Sequence, residues 1–289
     1  MGQPGKEMLG GKDGVSEMRG CLQAMFADVR QFLVGEGLGK LATVQSNPRG
    51  DVTKEFDYLA ELRIIERCTR EIADPVRVLT EERGEVRTRP GPARWTLIVD
   101  PVDGSENFGR GNELSCVSLA LLPGESVPRP EAVAVALVGS IFTGTVYEAE
   151  RGGGAWKNGE RIRPARTTRL AEAVVAMDLH FGGAPTAARV SPLLARVKDA
   201  RRFGTAAFEF AAVASGGVDA YVDVRDTLSP ENYMAAVLIV AEAGGVITDR
   251  FGQPLAPVRS MTQGQSIVAA ATPALHAEIL QLLAESAQP

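Results

Sequence analysis

Apolar residues recur every three or four positions near the start of the chain. This spacing is typical of a helix that buries one face, and it predicts an amphipathic helix from residue 14 to about residue 36. The residues that carry it are Met18, Leu22, Met25, Phe26, Val29 and Leu33. A second helix is predicted from about Tyr58 to Ile72.

Short apolar runs rich in β-branched residues follow the two helices. They predict strands at Val76–Thr80, Trp95–Val99, Leu114–Leu122, Ala132–Val138 and Thr143–Ala149. A block of helices followed by a block of strands indicates a sheet that helices cover on one side.

Helices and strands alternate in the second half of the chain. Helices are predicted at about Ala187–Val197, Ala206–Ala214, Asn232–Ala243 and Pro273–Leu283, and strands at Arg201–Phe203, Ala220–Val224, Gly245–Thr248 and Ser266–Ala270. Such alternation is typical of an α/β arrangement. Residues 122–130 and 253–263 are predicted to be long surface loops, and the sequence contains no internal repeat.

Candidate chemistry concentrates in the segment Asp100-Pro-Val-Asp-Gly-Ser-Glu-Asn-Phe108. Asp100 follows an apolar run, and Pro101 is expected to end that strand because it has no amide proton. Gly104 permits a tight backbone, and Ser105 then opens a helix whose free amides favour a phosphate. Two carboxylates three positions apart suit a hard metal ion. The alternative is that Asp100 and Asp103 only cap a helix and shape a turn.

Composition places the chain among globular proteins and narrows its partners. It has 289 residues, of which 45% are hydrophobic and 23% charged, enough for one large core. A net charge of −5 with scattered basic residues argues against a nucleic-acid partner. The three cysteines are too few and too odd in number for a disulfide framework. No apolar run is long enough to span a membrane and no signal peptide is evident, so a cytoplasmic location is expected.

Several segments occur in the order of a known family. The Glu81-Glu82 pair precedes Asp100-Pro-Val-Asp103 by about twenty residues, and the other segments are Thr53–Asp57, Gly152–Gly159, Gly204–Ala207 and Ala235–Gly245. Together they resemble the inositol monophosphatase family, a branch of the metal-dependent sugar phosphatases that includes many fructose-1,6-bisphosphatases. The resemblance covers roughly residues 14 to 284.

The resemblance implies a fold class of α/β (α+β) type, a layered α-β-α-β-α sandwich. Residues 1–13 are then a flexible N-terminal extension, and residues 14–289 form a single phosphatase domain. That domain divides into an α+β half, about 14–183, and an α/β half, about 184–289. Relatives are commonly homodimers, so a homodimer is expected.

The resemblance also implies a set of metal ligands. One ion would be held by Glu81, Asp100 and the backbone carbonyl of Val102, and a second would share Asp100 and add Asp103. Oxygen donors suit Mg²⁺, in two or three ions, or Mn²⁺ in its place. Where the family has a further aspartate this chain has Asn232, which brings no charge, so the second ion should bind more weakly.

Glu231 and Thr80 are adjacent in sequence to two of these ligands, Asn232 and Glu81. Glu231 lies one residue from Asn232, but one helical step turns it by about 100°, so it cannot simply replace the aspartate. Thr80 stands where the family usually has glycine, which is a milder change.

Catalysis in the family uses a water that a threonine hydroxyl positions, and an aspartate holds that hydroxyl. These roles fall on Ser105 and Asp57, with Glu81 as a further catalytic carboxylate. Serine keeps the hydroxyl and lacks only a methyl group. The alternative for both Ser105 and Asp57 is a helix-capping role.

Substrate binding is implied for a set of residues after the metal motif and in the second half of the chain. It comprises Gly104, Ser105, Gly204, Thr205, Ala206 and Asp223. The segment Asp223-Val-Arg225 resembles the archaeal-type members, which often act on both inositol phosphate and fructose bisphosphate. Arg201, Arg202 and Arg225 are candidates for holding a second phosphate through their planar forks, or else they are surface charges.

The leading hypothesis is Mg²⁺-dependent hydrolysis of inositol monophosphate or fructose 1,6-bisphosphate. The alternatives are a 3′-phosphoadenosine-type nucleotide phosphatase, and a weakened relative that binds metal or sugar phosphate in a regulatory role.

Other phosphatase mechanisms lack their residues. The two histidines are His180 and His276, and His276 is expected on the polar side of the last helix. No cysteine is followed five residues later by arginine. Gly152–Gly154 lacks the Lys-Ser/Thr of a phosphate-binding loop and is expected to be a tight turn between strands.

Overall fold

Two helices and a large sheet form the first half of the chain. The computed structural model describes residues 12–47, 50, 52–179 and 183–285. Helices α1 (Lys12–Gly35) and α2 (Glu55–Glu71) pack together on one face of an eight-stranded sheet. The hairpin β1 (Thr43–Ser46) and β2 (Val52–Lys54) lies between them in sequence.

The large sheet has the strand order β10-β9-β8-β7-β6-β5-β3-β4. Strands β3 and β5 are parallel, and the other neighbouring strands of this sheet are antiparallel. The strands are β3 (Val76–Thr80), β4 (Gly84–Arg87), β5 (Trp95–Asp103), β6 (Cys116–Pro123), β7 (Val135–Ser140), β8 (Val146–Glu150), β9 (Gly154–Lys157) and β10 (Glu160–Arg161). A short helix, α3 (Ser105–Gly109), follows β5.

The second half builds a five-stranded sheet in the order β12-β11-β13-β15-β14. Strand β11 is parallel to β12 and β13, and β15 is antiparallel to β13 and β14. The elements are β11 (Val174–Asp178), α4 (Gly183–Leu194), β12 (Asp199–Arg201), α5 (Ala206–Ala214), β13 (Ala220–Leu228), α6 (Pro230–Ala243), β14 (Val246–Asp249), β15 (Gln265–Ala270) and α7 (Pro273–Glu285).

Helices α5 and α6 form the middle layer between the two sheets, and α4 and α7 cover the outer face of the small sheet. Strand β6 shows why the layers form, because Val117 and Leu119 face the cluster under α1 and α2 while Cys116 and Ala120 face the middle cluster. Most residues of α6 are buried, as expected for a helix that is apolar on nearly all sides. The order is α-β-α-β-α, which confirms the predicted layered sandwich.

Most predicted elements are present, some with shifted ends. Strand β3 and helix α5 have the predicted bounds, whereas α2 begins three residues earlier, at Glu55. Strands β1, β2, β4, β9, β10 and β11 were not predicted. Strand β4 is a charged, half-exposed edge strand, Gly84–Arg87, so it has no apolar alternation to read. The turn expected at Gly152–Gly154 joins β8 to β9.

The prediction that Pro101 ends its strand is wrong. Strand β5 continues to Asp103 because a bulge accommodates the proline. Asp100 pairs with Ser118 and Asp103 with Cys116, so β5 has one residue more than β6 across this interval. Proline is tolerated at such a bulge because the ladder is already interrupted there. Asp103 is therefore the last residue of β5 and is buried.

The expected position of His276 is also wrong. Its side chain is buried rather than exposed, and its Nε2 atom lies 3.0 Å from Thr248 Oγ1. Helix α7 therefore buries a wider face than its apolar residues alone indicate. His180 and residues 1–11 of the expected N-terminal extension lie outside the described residues.

The three cysteines, Cys21, Cys68 and Cys116, are free and buried. Among the described helices, none has both the length and the apolarity of a membrane span.

Candidate active site

A cluster of buried carboxylates lies where β3 and β5 end and α3, α5 and α6 begin. Its centre is Asp100, which is 2% exposed. One carboxylate oxygen accepts a hydrogen bond from the Val102 amide (2.9 Å), and the other accepts one from Asn232 Nδ2 (2.6 Å). Helix α6 thus brings Asn232 onto Asp100 from 132 positions away in the sequence.

Asp103 is anchored to the start of α5. Its Oδ2 atom accepts hydrogen bonds from Thr205 Oγ1 (3.0 Å) and from the Ala207 amide (2.6 Å), and Cys116 Sγ lies 3.8 Å away. Burial raises the pKa of Asp103, and the hydrogen bonds from α5 oppose this rise. The first turn of α5 therefore favours the charged form of this carboxylate.

The Glu-Glu pair after β3 divides between two environments. Glu81 accepts a hydrogen bond from Asn47 Nδ2 (3.4 Å) and raises the pKa of Asp100 through its like charge. Glu82 is turned away and accepts a hydrogen bond from the Thr53 hydroxyl, while its amide donates to Glu61 Oε2 (3.1 Å). The charge of Glu81 therefore acts on Asp100.

Asp57 and Ser105 meet beside this cluster. Burial raises the pKa of Asp57, as do Glu82 and Glu81, while a hydrogen bond with Ser105 lowers it. The Ser105 hydroxyl also lies 3.0 Å from the Val102 carbonyl, to which it donates. A hydroxyl has one proton, so Ser105 can donate to either Asp57 or Val102 at a given moment. The arrangement links the first turn of α2 to the bulged end of β5.

Two glycines let the two halves of the molecule approach here. Gly104 has φ +88°, and a Cβ atom on it would lie 3.0 Å from the Leu114 carbonyl and 3.2 Å from the Gly204 carbonyl. Gly204 has φ +74° and lies against Asn107. The structure thus brings Gly104, Ser105, Gly204, Thr205 and the buried Ala206 together, as the sequence-based site requires.

The predicted metal ligands fit a hard cation by their chemistry. Burial raises the pKa of Asp100, and so do the like charges of Glu81, Asp103, Glu231 and Asp57. A divalent cation would relieve this repulsion, and every proposed ligand atom is an oxygen. Within the part of the chain that is described, no three His, Cys, Asp or Glu side chains are arranged as a complete metal site. Asp100 and Asp103 each turn an oxygen toward a donor of the protein instead.

Asp223, Arg202 and Arg225 belong to a second charged group, in which Arg202 lies beside Gly204. Arg225 is almost buried and forms a bidentate contact with Asp223, with Nε–Oδ1 at 3.1 Å and Nη2–Oδ2 at 2.5 Å. Arg202 is about half exposed and pairs with Asp178. Arg201 pairs with Asp199 on the edge strand β12. Arg202 and Arg225 therefore lie near the cluster with carboxylate partners of their own.

A sequence model of the inositol monophosphatase family matches residues 21–288. This chain belongs to the inositol monophosphatase family. It is 35% identical over 243 residues to a fructose-1,6-bisphosphatase/inositol-1-monophosphatase from Thermococcus kodakarensis, which is 83% of this chain and 86% of the relative. A protein of the same name from Methanothermobacter thermautotrophicus is 30% identical over 260 residues, 87% and 90% of the two chains.

A solved structure shares the fold. The extragenic suppressor protein suhB from Bartonella henselae matches with a TM-score of 0.78 at 26% identity, over 92% of this chain and 98% of that one. As a member of the inositol monophosphatase family, the chain is a phosphoric monoester hydrolase. The predicted family and enzyme class are confirmed.

Three polar residues of the candidate site in this inositol monophosphatase family member were not predicted from the sequence. Asn107 Nδ2 donates to the carbonyls of Leu114 and Phe203, both at 2.7 Å, and so joins the two halves. It stands inside the Asp100–Phe108 segment, where a signal was available. Glu209 is the one carboxylate of the apolar helix α5, and Asp178 ends an apolar run, Val174–Met177, as Asp100 does.

Glu209 gives this family member a pH-dependent stability. Its Oε1 atom accepts from the Phe203 amide at 2.7 Å, and burial raises its pKa to about 8. An unfolded glutamate has a pKa near 4.3. Between these values the folded chain binds the extra proton, so this group lowers stability as pH rises from about 5 to about 8.

Glu209→Gln should remove that loss and keep the carbonyl that accepts from Phe203. In metal-free buffer the variant and the wild type should unfold at similar urea concentrations near pH 5. The variant should then gain about 1.4 kcal/mol per pH unit over the wild type up to about pH 8. Parallel stability curves for the two proteins would contradict the assignment.

Proposed function

We propose that this chain hydrolyses small phosphate monoesters, inositol monophosphate and fructose 1,6-bisphosphate, by attack of a metal-activated water on phosphorus. The observation that supports this most is the position of the Ser105 hydroxyl, which lies 3.0 Å from the Val102 carbonyl and forms the hydrogen bond that lowers the pKa of Asp57, beside Asp100 and Asp103. It places a hydroxyl and its acceptor next to a cluster of carboxylates, at the start of α3. The two named relatives carry both substrates in their names.

The proposed ligands are Glu81, Asp100, the Val102 carbonyl, Asp103 and Asn232. We propose that they hold two or three Mg²⁺ ions, with Mn²⁺ able to replace them, in a family that is generally metal-dependent. Bound cations would neutralise phosphate oxygens and lower the pKa of a water. Asp100, Val102 and Asp103 are buried and Glu81 is partly buried, so the carboxylate charges act through little solvent and their mutual repulsion is strong.

The chain's own residues orient the attacking water. When the Ser105 hydroxyl donates to Asp57, its oxygen lone pairs can accept a hydrogen bond from a water, and the Val102 carbonyl is released for a cation. Asp57 is held at the first turn of α2 and is 4% exposed, so it keeps the hydroxyl in one orientation. Glu81 is a further carboxylate whose charge acts on Asp57.

The substrate's phosphate would lie at the start of α3, against the amides that follow Gly104. Its sugar or inositol ring would extend toward the Gly204–Ala206 segment. Beyond that segment lie Asp223, Arg202 and Arg225, whose hydrogen-bonding groups suit ring hydroxyls or a second phosphate. Asn107 holds the Phe203 carbonyl and so keeps this wall in place.

The test is phosphate release from a panel of inositol 1-phosphate, fructose 1,6-bisphosphate and a 3′-phosphoadenosine nucleotide, with and without Mg²⁺. We expect turnover of the first two esters only when Mg²⁺ is present. Ser105→Ala should reduce kcat by about 10² to 10⁴-fold because the water loses its acceptor. Ser105→Thr is the matched control, and it should retain activity because it keeps the hydroxyl. Wild-type activity in Ser105→Ala would contradict the mechanism.

One observation favours a second candidate, a weakened family member with a regulatory role. Asn232 Nδ2 already donates to Asp100, which occupies one of the proposed ligand oxygens with a neutral group. If the whole panel shows no turnover while Mg²⁺ still raises the melting temperature, this second role is the correct one. Release of phosphate from the nucleotide alone would instead support a nucleotide phosphatase.

A further inference from the structure

A pair of carboxylates lies at one end of the small sheet. Asp178 ends β11, and in the parallel ladder it stands directly opposite Asp223 of β13. Asp223 is fully buried and Asp178 is 9% exposed. Two neighbouring carboxylates with so little solvent must be balanced by cations of the protein.

Two arginines provide that balance in different ways. Arg225 bridges the pair, with Nη2 3.0 Å from Asp178 Oδ2 and 2.5 Å from Asp223 Oδ2. Arg202 Nε lies 3.4 Å from the other oxygen of Asp178. Asp223 thus engages one guanidinium, whereas Asp178 is shared between two.

The exposure of the arginines separates their roles. The Arg225 side chain is 8% exposed and is held on both sides, so it cannot leave the pair without stranding buried charge. The Arg202 side chain is 47% exposed, so it can move at small cost. Asp178 is the contact that restrains it.

Arg202 borders the wall on which the substrate ring is proposed to lie. Its Nη1 atom is 3.8 Å from the position that a Cβ on Gly204 would take, and Gly204 in turn packs against Gly104 and Asn107. Gly204 therefore lies between the Arg202 guanidinium and Gly104, the residue just before α3. A group extending from a phosphate at α3 toward Gly204 would reach Arg202.

The charges of the cluster decide what such a group can be. Arg202 and Arg225 carry +2 and Asp178 and Asp223 carry −2, so these four side chains are neutral together. A second phosphate brings about −1.5 to −2 and must compete with Asp178 for Arg202. Neutral ring hydroxyls meet no such competition, because carboxylates accept their hydrogen bonds.

We propose that Asp178 is a specificity-determining residue that holds Arg202 and thereby favours substrates with one phosphate and neutral hydroxyls over substrates with a second phosphate. This rests on the proposed function above. The residue acts through Arg202 and does not take part in the attack of water.

The test compares kcat/KM for inositol 1-phosphate and fructose 1,6-bisphosphate in the wild type and in Asp178→Asn. Asparagine keeps the shape and removes the charge, so the ratio of bisphosphate to monophosphate should rise roughly 3- to 10-fold, since Arg202 is half exposed. The rise should come mainly from a lower KM for the bisphosphate and should shrink at high salt. Adding Arg202→Met to Asp178→Asn should cancel it.

Asp199→Asn is the matched control. Asp199 also pairs with an arginine, Arg201, but it is exposed on the edge strand. An equal change in the ratio for Asp199→Asn, or no change for Asp178→Asn, would overturn the proposal. Titration calorimetry of both esters gives the corresponding ratio of dissociation constants, which does not depend on turnover. Absent turnover in the wild type would therefore refute the proposed function, while the ratio of dissociation constants still decides the role of Asp178.

Discussion

Asp103→Asn should abolish phosphate release while leaving the fold intact. In the structure one oxygen of Asp103 accepts from both Thr205 Oγ1 and the Ala207 amide. An asparagine must turn its carbonyl oxygen toward these two donors, which leaves its NH₂ group facing the proposed cation site. That site needs a lone pair and a negative charge, and the variant offers neither.

The expected loss in kcat/KM is on the order of 10³-fold or more, comparable to removing a main electrostatic contributor from an active site. It should be measured at saturating Mg²⁺, together with the circular dichroism spectrum and the melting temperature. Asp199→Asn serves again as the control for the removal of one carboxylate charge. If Asp103→Asn retains activity within tenfold of the wild type, the ligand assignment is wrong.

Asn232→Asp should lower the Mg²⁺ concentration needed for half-maximal activity by about 10 to 100-fold. Glu81, Asp100 and Asp103 supply −3 at the proposed site, and the substitution would make this −4 against +4 from two divalent ions. In the metal-free protein, by contrast, Asn232→Asp should lower the melting temperature. Asn232 Nδ2 now donates to Asp100 at 2.6 Å, and an aspartate there would place a second carboxylate against the buried Asp100.

Two measurements separate these effects. In EDTA the melting temperature of Asn232→Asp should fall below that of the wild type, and Mg²⁺ should raise it by more than it raises the wild type. Asn232→Ala is the control, because it removes the hydrogen bond to Asp100 without adding charge and should not reduce the Mg²⁺ requirement. An unchanged requirement in Asn232→Asp would count against the place of this residue in the site.

The long elements could be predicted because their periodicity is local. In helix α1 apolar residues recur every three or four positions, and strand β3 is a run rich in β-branched residues, so a few residues of either segment indicate its structure. The short edge strand β4 carries no such signal, and the bulge at Pro101 depends on β6, which supplies one residue fewer across the same interval. His276 was placed wrongly because its burial follows from its contact with Thr248.

Part of the candidate site could likewise be inferred from one stretch of chain. Asp100, Asp103 and Ser105 lie within six residues, so one short segment shows two carboxylates and a hydroxyl together. Arg202 was a candidate for its guanidinium alone, and Asp178 follows an apolar run as Asp100 does, but the contact between them is visible only in the tertiary structure.

The sequence by itself determined most of the helices and strands through local periodicity, and the family through short contiguous motifs in order. The layered sandwich and the candidate carboxylates followed from the resemblance to that family. Only the tertiary structure decided the partner of each carboxylate. The contacts of Asp103 with Ala207 and of Asp100 with Asn232 span more than one hundred residues. They form because α5 and α6 are packed between the two sheets, and no local pattern in either segment encodes where that packing brings their first turns.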